Sequence, residues 1–211
     1  MNLQVFPSGP FETNAYVVFC EKTNEGAIVD PAPESKDKIL QFVEQNKIDI
    51  KKILLTHSHW DHIGDVATLK EEFDVPVIIH PLDVPNLENP GADGLPLFMP
   101  IRGVKPDELL AEGDKIQIGE KLFEVIDTPG HTPGGVCFYC PEESILISGD
   151  TLFQGSIGNL SFPTSDPDAM WKSLEKLAQL PPETKVYPGH GPSTTIGAET
   201  WLNRAKEVFG Y

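Results

Sequence analysis

The chain has 211 residues, and 16 lysines and arginines against 32 aspartates and glutamates give it a formal net charge of −16. We expect a single domain over residues 1–211, because this length suits one domain with a full hydrophobic core. The acidic balance argues against nucleic-acid binding, since a phosphate backbone requires a basic surface. Three cysteines and no run of about 20 apolar residues argue against a disulfide scaffold and a membrane span.

The first residues lack the basic and long apolar regions of a signal peptide, so we expect a cytoplasmic protein.

The predicted elements begin with short β-strands. Apolar runs bounded by Pro, Gly and Asn predict strands at Leu3–Phe6, Ala15–Cys20 and Ala27–Asp30. A helix with one apolar face is predicted over Glu34–Asn46, and a buried strand at Ile53–Leu55.

Helices and strands alternate in the next part of the chain. A helix is predicted over Asp65–Phe73 and a strand at Val75–Ile79, which is typical of a covered sheet. Six prolines in His80–Glu112 argue against long regular elements there. Further elements are predicted as strands at Lys115–Ile118, Leu122–Asp127, Gly135–Tyr139, Ser144–Ile147 and Lys185–Tyr187, and as helices at Asp166–Leu180 and Gly197–Val208. The order predicts an α/β protein.

The main chemical signal is the segment Thr56-His57-Ser58-His59-Trp60-Asp61-His62, directly after an apolar strand. Three of the six histidines of the chain lie within these few residues. Neutral imidazole and carboxylate are ligands that zinc-like ions accept. Adjacent ligands such as Asp61 and His62 point in different directions, so this one segment can serve two metal ions.

Three further candidates follow the ends of later predicted strands, each beside a glycine: His131 after Thr-Pro-Gly, Asp150 after Ser-Gly and His190 after Tyr-Pro-Gly. Glycine lets the backbone come close to an ion. Taken singly, such residues are more typical of turns than of ligands. Together with the histidine segment they make five histidines and two aspartates at strand ends, where α/β proteins gather their ligands.

These motifs resemble those of the metallo-β-lactamase superfamily. The pattern runs through His-x-His-x-Asp-His, Thr-Pro-Gly-His-Thr-Pro-Gly, Ser-Gly-Asp-Thr-Leu-Phe and Pro-Gly-His-Gly-Pro, and it is most similar to the glyoxalase II (hydroxyacylglutathione hydrolase) branch. The resemblance implies an αββα sandwich with a dinuclear site at one edge of the sheets. By the family pattern, one ion is held by His57, His59 and His131, the other is held by Asp61, His62 and His190, and the two are bridged by Asp150.

The implied chemistry is hydrolysis. Two divalent ions, two aspartates and a bridging hydroxide leave the site with a charge of about +1, which favours an anionic intermediate over a neutral carbonyl. Metal coordination lowers the pKa of water toward about 7, so a nucleophile exists at neutral pH. Asp61 would orient this hydroxide and accept its proton. Zinc is the expected metal, and a mixed histidine and carboxylate set also accepts iron or manganese.

The substrate is expected to be a small thioester or ester. We expect a short form without the C-terminal basic helical region of full-length glyoxalase II enzymes, and the chain resembles a compact subgroup to which thioester hydrolysis is attributed. Asn159 stands where the family usually has Lys or Arg, and Ser161 stands near a usual aromatic hydroxyl. We predict that both contact substrate and that glutathione is bound weakly. Phe98 and Met99 are candidate apolar wall residues.

Several alternatives remain open at this point. One alternative is a mononuclear iron persulfide dioxygenase, because the smaller ligand set of such enzymes is contained in the seven candidate ligands. A hydrolase of other esters or lactones and a metal-binding protein without turnover are also compatible with the sequence. Asp150 argues against β-lactam hydrolysis, and His59, where flavo-diiron relatives have an acid, argues against oxygen or nitric-oxide reduction. The oligomeric state is left open.

Overall fold

The computed structural model describes residues 1–210, in which two six-stranded sheets carry most of the regular structure. The first sheet contains the strands β1 (Asn2–Ser8), β2 (Thr13–Phe19), β3 (Glu25–Val29), β4 (Asp49–Leu54), β5 (Val77–Ile79) and β6 (Glu108–Leu109), in this order. Its β1–β2 and β2–β3 pairs are antiparallel, and the other three pairs are parallel.

The second sheet has the order β14-β13-β10-β9-β8-β7. Its strands, with the small hairpin β11–β12, are β7 (Lys115–Ile118), β8 (Lys121–Asp127), β9 (Val136–Cys140), β10 (Ile145–Gly149), β11 (Leu152–Phe153), β12 (Ser156–Ile157), β13 (Lys185–Pro188) and β14 (Thr194–Thr195). Because β9 is antiparallel to both β8 and β10, and β10 is parallel to β13, strands β8, β10 and β13 end at the same edge.

Six α-helices cover these sheets in the described residues: α1 (Lys36–Asn46), α2 (Trp60–Ile63), α3 (Val66–Phe73), α4 (Val84–Glu88), α5 (Pro167–Leu177) and α6 (Ala205–Phe209). Helix α5 begins after Asp166, whose side chain accepts a hydrogen bond from the main-chain N–H of Ala169, with Pro167 at the first helical position. None of the helices in residues 1–210 combines the length and apolarity that a membrane crossing requires.

The alternation of side chains along the strands creates four layers. Val17 packs with α1 and α3 on the outer face of the first sheet, whereas its neighbours Tyr16 and Val18 face the second sheet. On the second sheet, Phe138 faces inward and Cys137 packs outward against α5. The expected αββα sandwich is therefore confirmed.

Most predicted elements form, but the predicted helix over Gly197–Val208 is wrong. The chain instead makes two 3-10 turns, at Ile196–Ala198 and Leu202–Arg204, before the short α6. The buried Glu199 explains the break, because its carboxylate accepts hydrogen bonds from Gly155, Thr194 and Trp201. The proline-rich stretch lacks long elements as expected, with a 3-10 turn at Pro81–Asp83, α4 and β6.

Candidate metal centre

The candidate ligands come together at the edge where four strands end. His57 follows β4 of the first sheet, and the second sheet contributes, after β8, β10 and β13 respectively, His131, Asp150 and His190. Gly149 allows the turn at the end of β10, because its φ is +48° and a Cβ there would clash with Thr56. Gly189 likewise leaves room for the Asp150 carboxylate.

The seven sequence-predicted residues form two groups and a carboxylate between them. The first group contains His57, His59 and His131, and the second group contains Asp61, His62 and His190. Within each group the potential ligand atoms lie within 4.8 Å of one another. The carboxylate is that of Asp150: its Oδ2 lies 3.4 Å from Nε2 of His131 and 3.5 Å from Nε2 of His190. Asp150 thus contacts histidines of both groups.

Hydrogen bonds at Nδ1 orient the rings of four histidines. The Nδ1–H of His131 donates to the carbonyl of Asn159 at 2.9 Å, and that of His190 donates to the carbonyl of Phe11 at 3.1 Å. His62 donates to the carboxylate of Asp30 at 3.0 Å, and His57 to the hydroxyl of Thr56 at 3.0 Å. Each ring therefore turns Nε2 toward the cluster, the orientation that a metal ligand needs.

Four histidine Nε2 atoms have no hydrogen-bond partner among the described residues. Five of the buried side-chain atoms without a hydrogen bond lie at this site: Nε2 of His57, His59, His62 and His131, together with Oδ1 of Asp150. Leaving one buried polar group unpaired costs about 1–3 kcal/mol, so five at one point are not a stable arrangement of protein groups alone. Cations bound between them satisfy all five, and the donor set fits divalent metal ions.

The pKa shifts of His59 and His190 differ in direction between the two sets of ligands. Burial lowers the pKa of His59 to about 3, helped by the nearby His131. At His190 burial is outweighed by Asp150 and Asp61, which raise its pKa to about 9. Burial also opposes ionisation of Asp61, but His62 and His190 lower its pKa to about 2. The carboxylates are therefore charged at neutral pH, and cations are attracted to this site.

Two supporting residues escaped the sequence prediction. Asp30 follows β3, and its two oxygens accept hydrogen bonds from the N–H and hydroxyl of Thr56 and from His62. These bonds occupy both oxygens, so Asp30 orients ligands. Thr13 donates its hydroxyl proton to Oδ2 of Asp61 at 2.7 Å and fixes that carboxylate. The signal for Asp30 is its position at a strand end, the same context that identified Asp150.

A second support comes from the proline-rich stretch. The buried Asp83 accepts hydrogen bonds from the N–H groups of Ser58 and Gly134 and from the hydroxyl of Thr132. The amide of Asn86 donates to the carbonyl of Ser58 at 2.6 Å. The Asp83–Asn86 segment thus holds the peptide between His57 and His59 and the loop that follows His131. No local sequence signal identifies these residues, because their partners are distant along the chain.

Comparison with known proteins agrees with this geometry. A family model described as Metallo-beta-lactamase superfamily matches residues 8–190. The chain belongs to the metallo-β-lactamase superfamily. Among its relatives is the hydroxyacylglutathione hydrolase GloC of Haemophilus influenzae, which is 31% identical over 96% of this chain and 97% of GloC. The superfamily therefore supports a hydrolase with divalent metal ions.

Solved structures of the same superfamily are also similar. The structure of TTHA1623 in a di-iron-bound form is 42% identical, with a TM-score of 0.82 over 95% of this chain and 98% of that one. The structure of BLEG-1, described as a B3 metallo-beta-lactamase, is 37% identical, with a TM-score of 0.88 over 96% of this chain and all of that one. Both proteins share the fold of this chain. One is described by its di-iron form and the other as a B3 metallo-beta-lactamase.

A cleft of about 320 Å³ opens over the two groups of this superfamily member. It is lined by Asp61 and Asn159, among others, and through Asn159 it adjoins a larger cavity of about 630 Å³ that also contains Ser161 and Lys206. Asn159 uses its carbonyl to hold His131, and its side-chain oxygen accepts a hydrogen bond from the N–H of Ser161 at 2.8 Å. Asn159 thus lies in the cleft over the candidate metal centre, whereas Ser161 lines the neighbouring cavity.

Proposed function

We propose that this protein is a dinuclear metal-dependent hydrolase of thioesters, similar to hydroxyacylglutathione hydrolases. The observation that carries the proposal is the position of Asp150, whose Oδ2 lies within 3.5 Å of a histidine from each group. A carboxylate in this position can bind two ions at once. The name of the relative GloC supports thioester hydrolysis.

In this proposal the ligand assignment follows the two groups. One ion would be held by His57, His59 and His131, the second would be held by Asp61, His62 and His190, and Asp150 would contribute to both. The unpaired Nε2 atoms support this assignment, because each would gain the partner that it lacks. The ions are divalent, with zinc as the first choice. Iron and manganese suit the same donors, and the di-iron form of TTHA1623 supports iron.

When bound, the ions would supply an activated water and polarise the substrate carbonyl. Asp61 orients the attacking water, since its Oδ2 is fixed by Thr13 and lies 3.3 Å from Nε2 of His190. With a pKa of about 2 the Asp61 carboxylate is charged at neutral pH. In the overall reaction, water forms a new carbon–oxygen bond, the carbon–sulfur bond breaks, and the products are a carboxylate, a thiol and one proton.

The thiol carrier of the substrate would occupy the larger cavity. Asn159 lines both the cleft and this cavity, and Ser161 lines the cavity. The Asn159 side chain offers a neutral hydrogen bond, which is about half as strong as a charge-assisted one. This supports weak binding of glutathione.

The test is an assay of S-lactoylglutathione beside a thioester of a different thiol, with metals quantified on the same sample. Turnover of either thioester by protein with two metal equivalents is the expected result. One iron with oxygen consumption on glutathione persulfide would favour the dioxygenase instead. A loaded protein inert toward every thioester and ester would contradict the proposal and favour a metal-binding protein without turnover.

β-Lactam hydrolysis is a second candidate because of the similarity to BLEG-1. A chromogenic cephalosporin tested on the same sample distinguishes it. We expect thioesters to be the better substrates, since the lactam-hydrolysing branches are expected to lack an acidic bridge such as Asp150.

A further inference from the structure

Three aromatic rings pack against one another in a cluster that we call the aromatic rim: Phe11 and Phe98 are exposed, and Trp60 is buried at 3% exposure. The ring centroids lie 5.2 Å apart for Phe11 and Trp60, 5.8 Å for Phe11 and Phe98, and 5.6 Å for Trp60 and Phe98. Phe98 is 67% exposed and Phe11 is 50% exposed. Contiguous exposed apolar surface of this kind marks a binding site more often than single exposed residues do.

The aromatic rim stands beside the candidate metal centre. The main-chain carbonyl of Phe11 accepts the hydrogen bond from His190, and Trp60 directly precedes Asp61. Phe11 and Trp60 line the 320 Å³ cleft, and Phe98 extends the same surface outward through its contacts with both rings. A molecule that reaches the metal centre from this side must cross the rim.

Two further aromatic rings line the cleft beside the candidate ligands. Phe162 packs 5.3 Å from the ring of His59, and Phe153 lies 6.0 Å from the ring of His190. Within the described residues, neither lysine nor arginine lines this cleft. The neighbouring 630 Å³ cavity, which shares Asn159 with the cleft, is lined by both Lys206 and Asp168, whose charged groups lie 3.3 Å apart. A charged or strongly polar group is therefore better accommodated in that cavity than against the rim.

We propose that the aromatic rim is the acyl subsite and that the substrate carries an unbranched alkyl acyl chain of several carbons. The proposal rests on the thioester hydrolase function. Asn159 contacts His131 and the larger cavity, whereas the rim contacts the His190 side of the cluster. If the thiol carrier occupies the cavity, the acyl chain projects toward the rim. Burying each methylene of that chain raises affinity about fourfold.

The experiment compares acetyl, butanoyl and hexanoyl thioesters of N-acetylcysteamine with the metal-loaded protein. We expect kcat/KM to rise about 16-fold from acetyl to butanoyl, since two methylenes are added, and to rise again at hexanoyl. Phe11→Ser and Phe98→Ser should each reduce this chain-length dependence at least threefold. Leu122→Ser is the matched control, because Leu122 is an exposed apolar residue of the β7–β8 hairpin, at 46% exposure. This control should keep the full dependence.

Binding of the carboxylate products measures the affinity of the same subsite without turnover. Isothermal titration with acetate, butanoate and hexanoate should give Kd values that fall with chain length, and Phe98→Ser should lose most of that fall. The acyl subsite would be overturned if kcat/KM and Kd did not depend on chain length. It would also be overturned if Phe11→Ser and Phe98→Ser both left the chain-length dependence unchanged. Thioesters left intact by a protein that still binds hexanoate more tightly than acetate would overturn the hydrolase function and retain the subsite.

Discussion

Asp83 accepts a hydrogen bond of 2.8 Å from the main-chain N–H of Ser58, the residue between two candidate metal ligands. The same carboxylate accepts from Gly134 at 2.7 Å, three residues after His131. It is 2% exposed, so water does not compete for these bonds. Asp83 therefore connects the two loops that carry the first group of histidines.

Replacing Asp83 with alanine should weaken metal binding by that group. The change removes one acceptor and leaves buried donors of Ser58 and Gly134 unpaired, at about 1–3 kcal/mol each. Supporting residues of this kind typically contribute 10–100-fold in metal affinity. Metal titration should show this loss for one of the two ions, with a lower Tm. Asp107→Ala, which removes an exposed carboxylate that accepts from Val77, is the control and should leave both affinities unchanged.

Asp150→Ala tests the bridge. Without this carboxylate the two ions repel each other with less compensation, so we expect at least one ion and nearly all activity to be lost. The fold should persist, because Asp150 lies at the end of β10; circular dichroism and metal analysis measure both effects. Two tightly bound metals with normal turnover in this variant would show that the site is not bridged by Asp150.

The pH dependence of the metal-stripped protein should separate the two groups. Asp150 and Asp61 overcome burial and raise the pKa of His190 to about 9, above its ordinary value of about 6.5. The stabilisation from this proton is complete below pH about 6.5 and lost as the pH rises through about 9. His59, with a pKa of about 3, is neutral throughout that window.

We therefore expect the Tm of the chelator-treated protein to fall between pH 6.5 and 9, and His190→Gln to reduce the fall. Over the same range, metal affinity of the second group should rise at least tenfold per pH unit, because binding displaces a proton from His190 and from His62, whose pKa Asp150 and Asp61 raise against the effect of burial. The affinity of the first group should rise less steeply, because burial lowers the pKa of both His57 and His59. A Tm that rises with pH in this window would be inconsistent with a raised pKa of His190.

Asn159→Arg should improve the use of glutathione thioesters. The residue lines the cleft and the larger cavity, and an arginine there can make a charge-assisted hydrogen bond to a glutathione carboxylate. We expect KM for S-lactoylglutathione to fall about fivefold, with a smaller change in kcat. The uncharged thioester acetyl-N-acetylcysteamine is the internal control, whose KM should not fall. Tight native saturation that Asn159→Arg leaves unchanged would mean that other residues hold glutathione.

Much of the candidate site could be predicted from the sequence because its ligands follow apolar strands in short motifs. The segment from His57 to His62 is contiguous, and Asp150 and His190 each follow a glycine at a strand end. Asp83 and Asn86 could not be found in this way. Asp83 lies 25 residues from Ser58 and 51 from Gly134, so its function depends on tertiary contacts that no local pattern records.

The same limit explains the C-terminal error. Apolar spacing predicts a helix over residues 197–208, but Glu199 is drawn into hydrogen bonds with Gly155, 44 residues away, and with Thr194. These contacts outweigh local helix propensity. The roles of Asn159 and Ser161 remain predictions, since a neighbouring cavity alone does not identify the substrate.

Titration of the metal-stripped protein with zinc, iron or manganese, followed by thioester hydrolysis at each point, tests the central claim most directly. Two groups of ligands with Asp150 between them predict that activity rises until two equivalents of metal per chain are bound. Full activity at one equivalent, with no further rise at the second, would contradict a dinuclear hydrolase.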